Sequence, residues 1–107
     1  MRVRFKVEGG IAFFPGLNRP VEIDTDELPE GEAAELKRRV GEARFFDLPT
    51  EVGEQRPGAA DLRRYEITVE DGAHSHTVSV AEPVEDLNLR ALVEGLRTRA
   101  KATRRAT

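Results

Sequence analysis

The sequence predicts an α+β domain: an antiparallel sheet of about four strands in two hairpins, with two helices, in the order ββαββα. Three observations predict it. Apolar and polar residues alternate with period two near the start and again in the second half; apolar residues recur at spacings of three and four at 33–43 and 89–100; and Gly9-Gly10 and Asp71-Gly72 stand where paired strands need tight turns. At 107 residues, with 38% hydrophobic and 35% charged side chains, the chain has material for one core. It has no cysteine, which excludes a disulfide scaffold and thiolate chemistry.

The first strand carries Val3, Phe5 and Val7 on one side and Arg2, Arg4, Lys6 and Glu8 on the other, the pattern of a half-buried strand. Gly9-Gly10 supplies the turn, and Ile11 and Phe13 begin the return. Residues 14–20 (Phe-Pro-Gly-Leu-Asn-Arg-Pro) cannot continue a central strand and are expected to bulge or loop out, with Val21 and Ile23 resuming the alternation. A helix is expected from about Asp26 or Leu28, with Pro29 in its first turn and Glu30 and Glu32 at the positive end of its dipole. Its apolar stripe is Ala33, Leu36, Val40 and Ala43, with Lys37, Arg38 and Arg39 outside. Pro49 ends it, leaving Phe45, Phe46 and Leu48 as an apolar corner against the sheet.

From Thr50 to Asp61 glycine, proline, alanine, glutamate and glutamine dominate, which reads as a long loop. Tyr65, Ile67 and Val69 then alternate with Arg64, Glu66, Thr68 and Glu70. Asp71-Gly72 turns the chain, and the return strand puts His74, His76, Val78 and Val80 on one face. Leu89, Leu92, Val93, Leu96 and Ala100 form the second helix, with Asp86 as its cap. One domain over 1–100 and a basic flexible tail over 101–107 complete the expected organisation.

Charge is segregated. Residues 22–35 hold seven acidic and no basic side chains, and 97–105 hold five basic and no acidic ones. The two runs can attract each other, serve separate partners or simply be solvated faces. No stretch has the apolar length of a membrane helix, and MRVRFKVE lacks the apolar core of a signal peptide, so a cytoplasmic protein with no membrane contact is expected.

Few residues promise chemistry. His74 and His76 share a strand face at a spacing metal sites use, but no third ligand stands in motif relation to them, so no metal is expected. Asp24, Asp26 and Glu27 lack the glycine-centred loop of a calcium site. No serine sits on a glycine-rich elbow and no phosphate-binding loop is present. Neither catalysis nor a cofactor is therefore expected. Arg2, Arg4 and Lys6 on one strand face, with the basic C-terminal run, keep open a protein- or nucleic-acid-binding module, although overall acidity and the lack of aromatic platforms disfavour nucleic acid. The alternative is recognition through the first loop. Phe14 and Leu17 either plug the end of the core or face solvent as anchors for a partner's pocket, Leu17 being the more outward of the two.

Taken together, the first strand with Gly9-Gly10, the Asp24-Thr25-Asp26 to Leu28-Pro29 helix start, the Phe45-Phe46-Asp47-Leu48-Pro49 corner, the strand Tyr65-Glu66-Ile67-Thr68-Val69-Glu70-Asp71-Gly72 and the His76-Thr77-Val78 return resemble the emfourin family. The resemblance runs from about Met1 to Leu96. It implies a small bacterial protein that inhibits thermolysin-type, particularly protealysin-like, zinc metallopeptidases and performs no reaction itself, monomeric when free. The target-binding residues expected on that reading are Ile11, Phe14, Pro15, Gly16, Leu17 and Asn18; a leucine or phenylalanine among them would fill the apolar pocket just beyond the scissile bond, and the loop would block the cleft sterically. Pro15 and Pro20 would stiffen that loop against cleavage. A second route would aim His74, His76, Asp24 or Asp26 at the target's zinc; steric blockage is the preferred expectation.

Overall fold

The structure, a computed structural model, describes residues 1–9, 20–53 and 63–105. Five strands form one sheet: β1 (Arg2–Gly9), β2 (Val21–Asp24), β3 (Glu51–Val52), β4 (Arg63–Asp71) and β5 (His74–Ala81), in the spatial order β2-β1-β4-β5-β3. Two helices, α1 (Glu30–Glu42) and α2 (Leu87–Arg105), complete an α+β fold. The expected class and helix number hold, but the sheet is not a purely antiparallel one of four strands. β3 pairs parallel with β5, Glu51 opposite Ser79 and Val52 opposite Val80, so the sheet is mixed and the order becomes ββαβββα. The reason is local. Two residues have no periodicity to detect, and they become a strand only because the corner after α1 delivers them to the edge of β5, where the Ser79 N–H donates to the Thr50 carbonyl at 2.8 Å.

The alternation in β1, β4 and β5 places Val3, Phe5, Tyr65, Ile67, Val69, Val78 and Val80 on one face, each no more than 1% exposed. Against that face lie Leu36, Val40 and Ala43 of the first helical segment and Leu89, Leu92, Val93, Leu96 and Ala100 of α2. The β4–β5 hairpin pairs Asp71 with His74, so its two loop residues are Gly72 and Ala73, one position later than the Asp-Gly pair suggests. Gly72 takes φ +62, the left-handed value that a hairpin turn with glycine in its first central position requires.

α1 starts later than expected. Residues Thr25–Glu27 form a separate 3-10 turn capped by Asp24, whose Oδ1 accepts the Asp26 N–H at 3.0 Å. Leu28 is extended (φ −91, ψ 154) because the residue before a proline is pushed out of the helical region. Pro29 is thus the flanking residue, and Glu30 opens the helix. Arg39 does not point outward as expected. It reaches across to α2, donating to the Ala91 carbonyl at 2.9 Å while its other nitrogen pairs with Glu35 at 2.7 Å. Gly95 makes room for it, since a Cβ there would lie 2.6 Å from the guanidinium. The α2 cap is as expected, the Leu89 N–H donating to Asp86 Oδ1 at 2.9 Å. The helix continues past Ala100 to Arg105.

Candidate functional site

The expected contact residues Ile11, Phe14, Pro15, Gly16, Leu17 and Asn18 lie outside the described residues. The sheet nevertheless defines the place from which their segment leaves. β1 pairs with β2 only from Arg2 to Phe5, the last pair being Phe5 with Val21, and then continues to Gly9 beside β4 alone. Gly9 and Val21, the strand residues on either side of that segment, are thus set about 13 Å apart along β1, four residues at the rise of a strand. Gly9 stands opposite Arg63, the residue at which the second long segment, 54–62, rejoins the sheet. That segment leaves from Gly53, whose backbone passes close to Ala81: a Cβ on Gly53 would lie 3.0 Å from the Ala81 carbonyl oxygen. Gly9, Arg63, Gly53 and Ala81 therefore share one end of the sheet, and both long segments are anchored there.

The same end carries a hydrogen-bonded cluster. Glu82 uses both carboxylate oxygens: Oε1 accepts the Arg63 N–H at 2.9 Å and Oε2 accepts the Tyr65 hydroxyl at 2.6 Å. The Glu82 N–H returns a bond to the Arg63 carbonyl at 3.0 Å. The Tyr65 ring stacks on Phe5 with centroids 5.8 Å apart, and the Arg97 guanidinium lies 5.9 Å from the Tyr65 ring centre. Burial, reinforced by the bond to Glu82, pushes the Tyr65 hydroxyl up to about 12. At Glu82 burial alone would raise the carboxyl, but the hydrogen bonds from Tyr65 and Arg63, with the charges of Arg63 and Arg97, outweigh it and hold the group below its usual range.

These shifts have opposite pH consequences. The Glu82 contribution to stability is present above the ordinary carboxylate range and is lost as pH falls through its lowered value; that of neutral Tyr65 is intact below about pH 10 and is lost as pH rises toward 12. Tyr65 is the single tyrosine of the chain, so phenolate absorbance reads it alone. The folded protein is expected to titrate near pH 12 and the urea-unfolded chain near ~10. In Glu82→Gln the midpoint falls but stays above ~10, because burial is the largest cause. A native midpoint equal to the unfolded one would mean that the hydroxyl is open to water.

Sequence reasoning passed over this pair. The available signal was Tyr65 itself, an inward-facing strand residue whose hydroxyl must find a partner once buried.

The histidines are placed differently. His76 is half-buried, edge-on to Phe45 with centroids 5.7 Å apart, and its Nε2 lies 2.7 Å from the Leu48 carbonyl, tying the apolar corner to β5. His74 is exposed beside Phe46, at the hairpin end of β5 and away from Ala81. No group of three or more metal-ligating side chains occurs among the described residues. Asp24 is engaged in its 3-10 cap.

The exposed sheet face is not a basic platform. Arg2 stands opposite Asp24 and Glu70, Lys6 opposite Glu66 and 3.2 Å from Glu8, and Arg4 opposite Glu22 with 4.0 Å between their charged atoms. Opposite charges interleaved in this way stabilise pairing and cancel the field that phosphates would need. Arg99 meets Glu32 at 3.8 Å, so the basic and acidic runs of the chain contact each other across the helices. No described helix is long and apolar enough to cross a membrane.

The described residues form a small α+β domain with two helices on one face of a five-stranded mixed sheet. The chain belongs to the Emfourin family, whose model matches residues 5–97. No curated protein and no solved structure matches it.

Proposed function

We propose that this protein is a proteinaceous inhibitor of thermolysin-like (M4) zinc metallopeptidases, protealysin-like ones among them, that blocks the active-site cleft sterically and performs no reaction itself. The observation that carries the reading is membership of the Emfourin family over residues 5–97. The geometry supports it by anchoring the segment with Ile11, Phe14, Pro15, Gly16, Leu17 and Asn18 beside the segment 54–62, so that both can reach one partner. Steric blockage is favoured over zinc coordination. His76 Nε2 is held by the Leu48 carbonyl, and His74 stands at the opposite end of β5 from the anchors. Burying one leucine or phenylalanine in the target's apolar pocket contributes ~1.5–3 kcal/mol, so tight inhibition draws on a wider contact of about 1,600 Å².

The test is incubation of the chain with a thermolysin-like peptidase, following both residual activity and the intactness of the chain. Loss of activity with intact chain is the expected result. Rapid digestion of the chain with activity retained would overturn the reading.

A further inference from the structure

We propose that Glu82 is a positioning residue for the inhibitory end of the molecule, holding the start of β4, and with it the Gly9–Arg63 pair, in the geometry from which the two long segments depart. The proposal rests on the function proposed above. It is argued from how the β4–β5 ladder ends. The last regular pair is Arg64 with Ala81. The next rung is completed on one side in the ordinary way, the Glu82 N–H donating to the Arg63 carbonyl at 3.0 Å. On the other side the Arg63 N–H donates to the Glu82 side chain at 2.9 Å, so a carboxylate oxygen takes the acceptor place that a main-chain carbonyl would hold in a continued ladder.

Both backbone polar groups of Arg63 therefore bond to Glu82, one through its main-chain N–H and one through its side chain, so half of the first rung of β4 depends on that carboxylate. The second oxygen accepts the Tyr65 hydroxyl at 2.6 Å, and Tyr65 is 1% exposed and stacked on Phe5 of β1. The carboxylate thus connects the free end of the sheet to a buried, rigid point two residues inward. Strand ends fray when their last rungs are unmade. A frayed first rung at Arg63 would loosen the end of β4 that lies beside Gly9 and carries residue 63, the anchor of 54–62, and re-forming that anchor on binding is a cost of association.

Three variants test this. Glu82→Ala removes both acceptors and is expected to weaken inhibition of a thermolysin-like peptidase at least about tenfold, the size of one lost hydrogen bond of this kind. Glu82→Gln keeps an acceptor for the Arg63 N–H and an amide that can donate to the Tyr65 oxygen, and is expected to restore inhibition to within about threefold of the wild type. His76→Ala, which unties the corner at the far end of β5, serves as the matched control: it lowers the melting temperature and leaves inhibition unchanged. Backbone hydrogen exchange at Arg63 and at residue 82 should rise in Glu82→Ala and not in His76→Ala. If the wild type inhibits and Glu82→Ala inhibits equally well, Glu82 is a structural residue only and this proposal is overturned while the function stands. If the wild type does not inhibit, the function falls and the positioning role with it.

Discussion

Replacing Phe45 by alanine is expected to destabilise the fold by about 3–5 kcal/mol, the range for removing a buried aromatic side chain. Phe45 is 1% exposed and is the hub of the corner that joins α1 to β3. Arg44 before it takes the left-handed conformation (φ 52), which turns the chain so that Phe45 enters the core while Phe46 stays 39% exposed. The ring meets Phe46 edge-on with centroids 6.0 Å apart and His76 with centroids 5.7 Å apart. The alanine variant leaves a cavity under that corner and takes away the surface against which His76 rests while its Nε2 is bonded to the Leu48 carbonyl. A domain of this size has about 5–15 kcal/mol of total stability, so the loss is a large fraction of it. The thermal midpoint should fall by roughly 15–30 °C. Phe46→Ala is the comparison and should cost well under ~1.5 kcal/mol, since that ring is already partly in water. Urea unfolding of both variants decides the matter: equal costs would mean that the corner is not inserted as described.

The elements that were legible in the sequence are those whose pattern is long enough to repeat. α2 could be read from Leu89, Leu92, Val93, Leu96 and Ala100 because five apolar positions at helical spacing leave one burial solution, and each is buried. β1, β4 and β5 followed from alternation for the same reason. β3 was not legible, because its two residues gain strand geometry only from the edge of β5. Nor was the burial of Thr25, a polar residue 2% exposed whose hydroxyl donates to the Met1 carbonyl at 3.0 Å; its partner stands opposite it across the β1–β2 pair but far away in the sequence. The Glu82–Tyr65 pair was hidden similarly: seventeen positions separate its members, and nothing local marks Glu82 as different from the other glutamates. Arg39 looked like a solvated residue until the helix crossing at Gly95 gave it a carbonyl to reach. For the candidate site the sequence predicts a constrained segment at 14–20, of which only Pro20 lies among the described residues, and what it could not show was that the β1–β4 register places the anchor of 54–62 directly beside Gly9.

On the proposed function, Leu17→Ala should weaken inhibition of a thermolysin-like peptidase by about ten- to a hundredfold. The figure follows from the ~1.5–3 kcal/mol of burying one leucine side chain, each ~1.4 kcal/mol being tenfold in affinity. Phe14→Ala separates the two roles open to that residue: if it serves as an anchor the loss falls in inhibition, and if it plugs the core the loss falls in the melting temperature. His74→Ala should leave inhibition unchanged, because a zinc-directed imidazole is not part of the steric route and this one stands beside Phe46 at the far end of β5. Salt separates the routes further. An apolar plug loses little affinity between low and high ionic strength, whereas contacts made by exposed charges such as Arg2, Arg4 and Lys6 are screened within ~10 Å at 0.1 M salt. The inhibition constants of the three variants at two ionic strengths therefore discriminate the mechanisms. Strong inhibition retained by Leu17→Ala but lost in His74→Ala would move the mechanism to zinc coordination and leave Leu17 without a role in it.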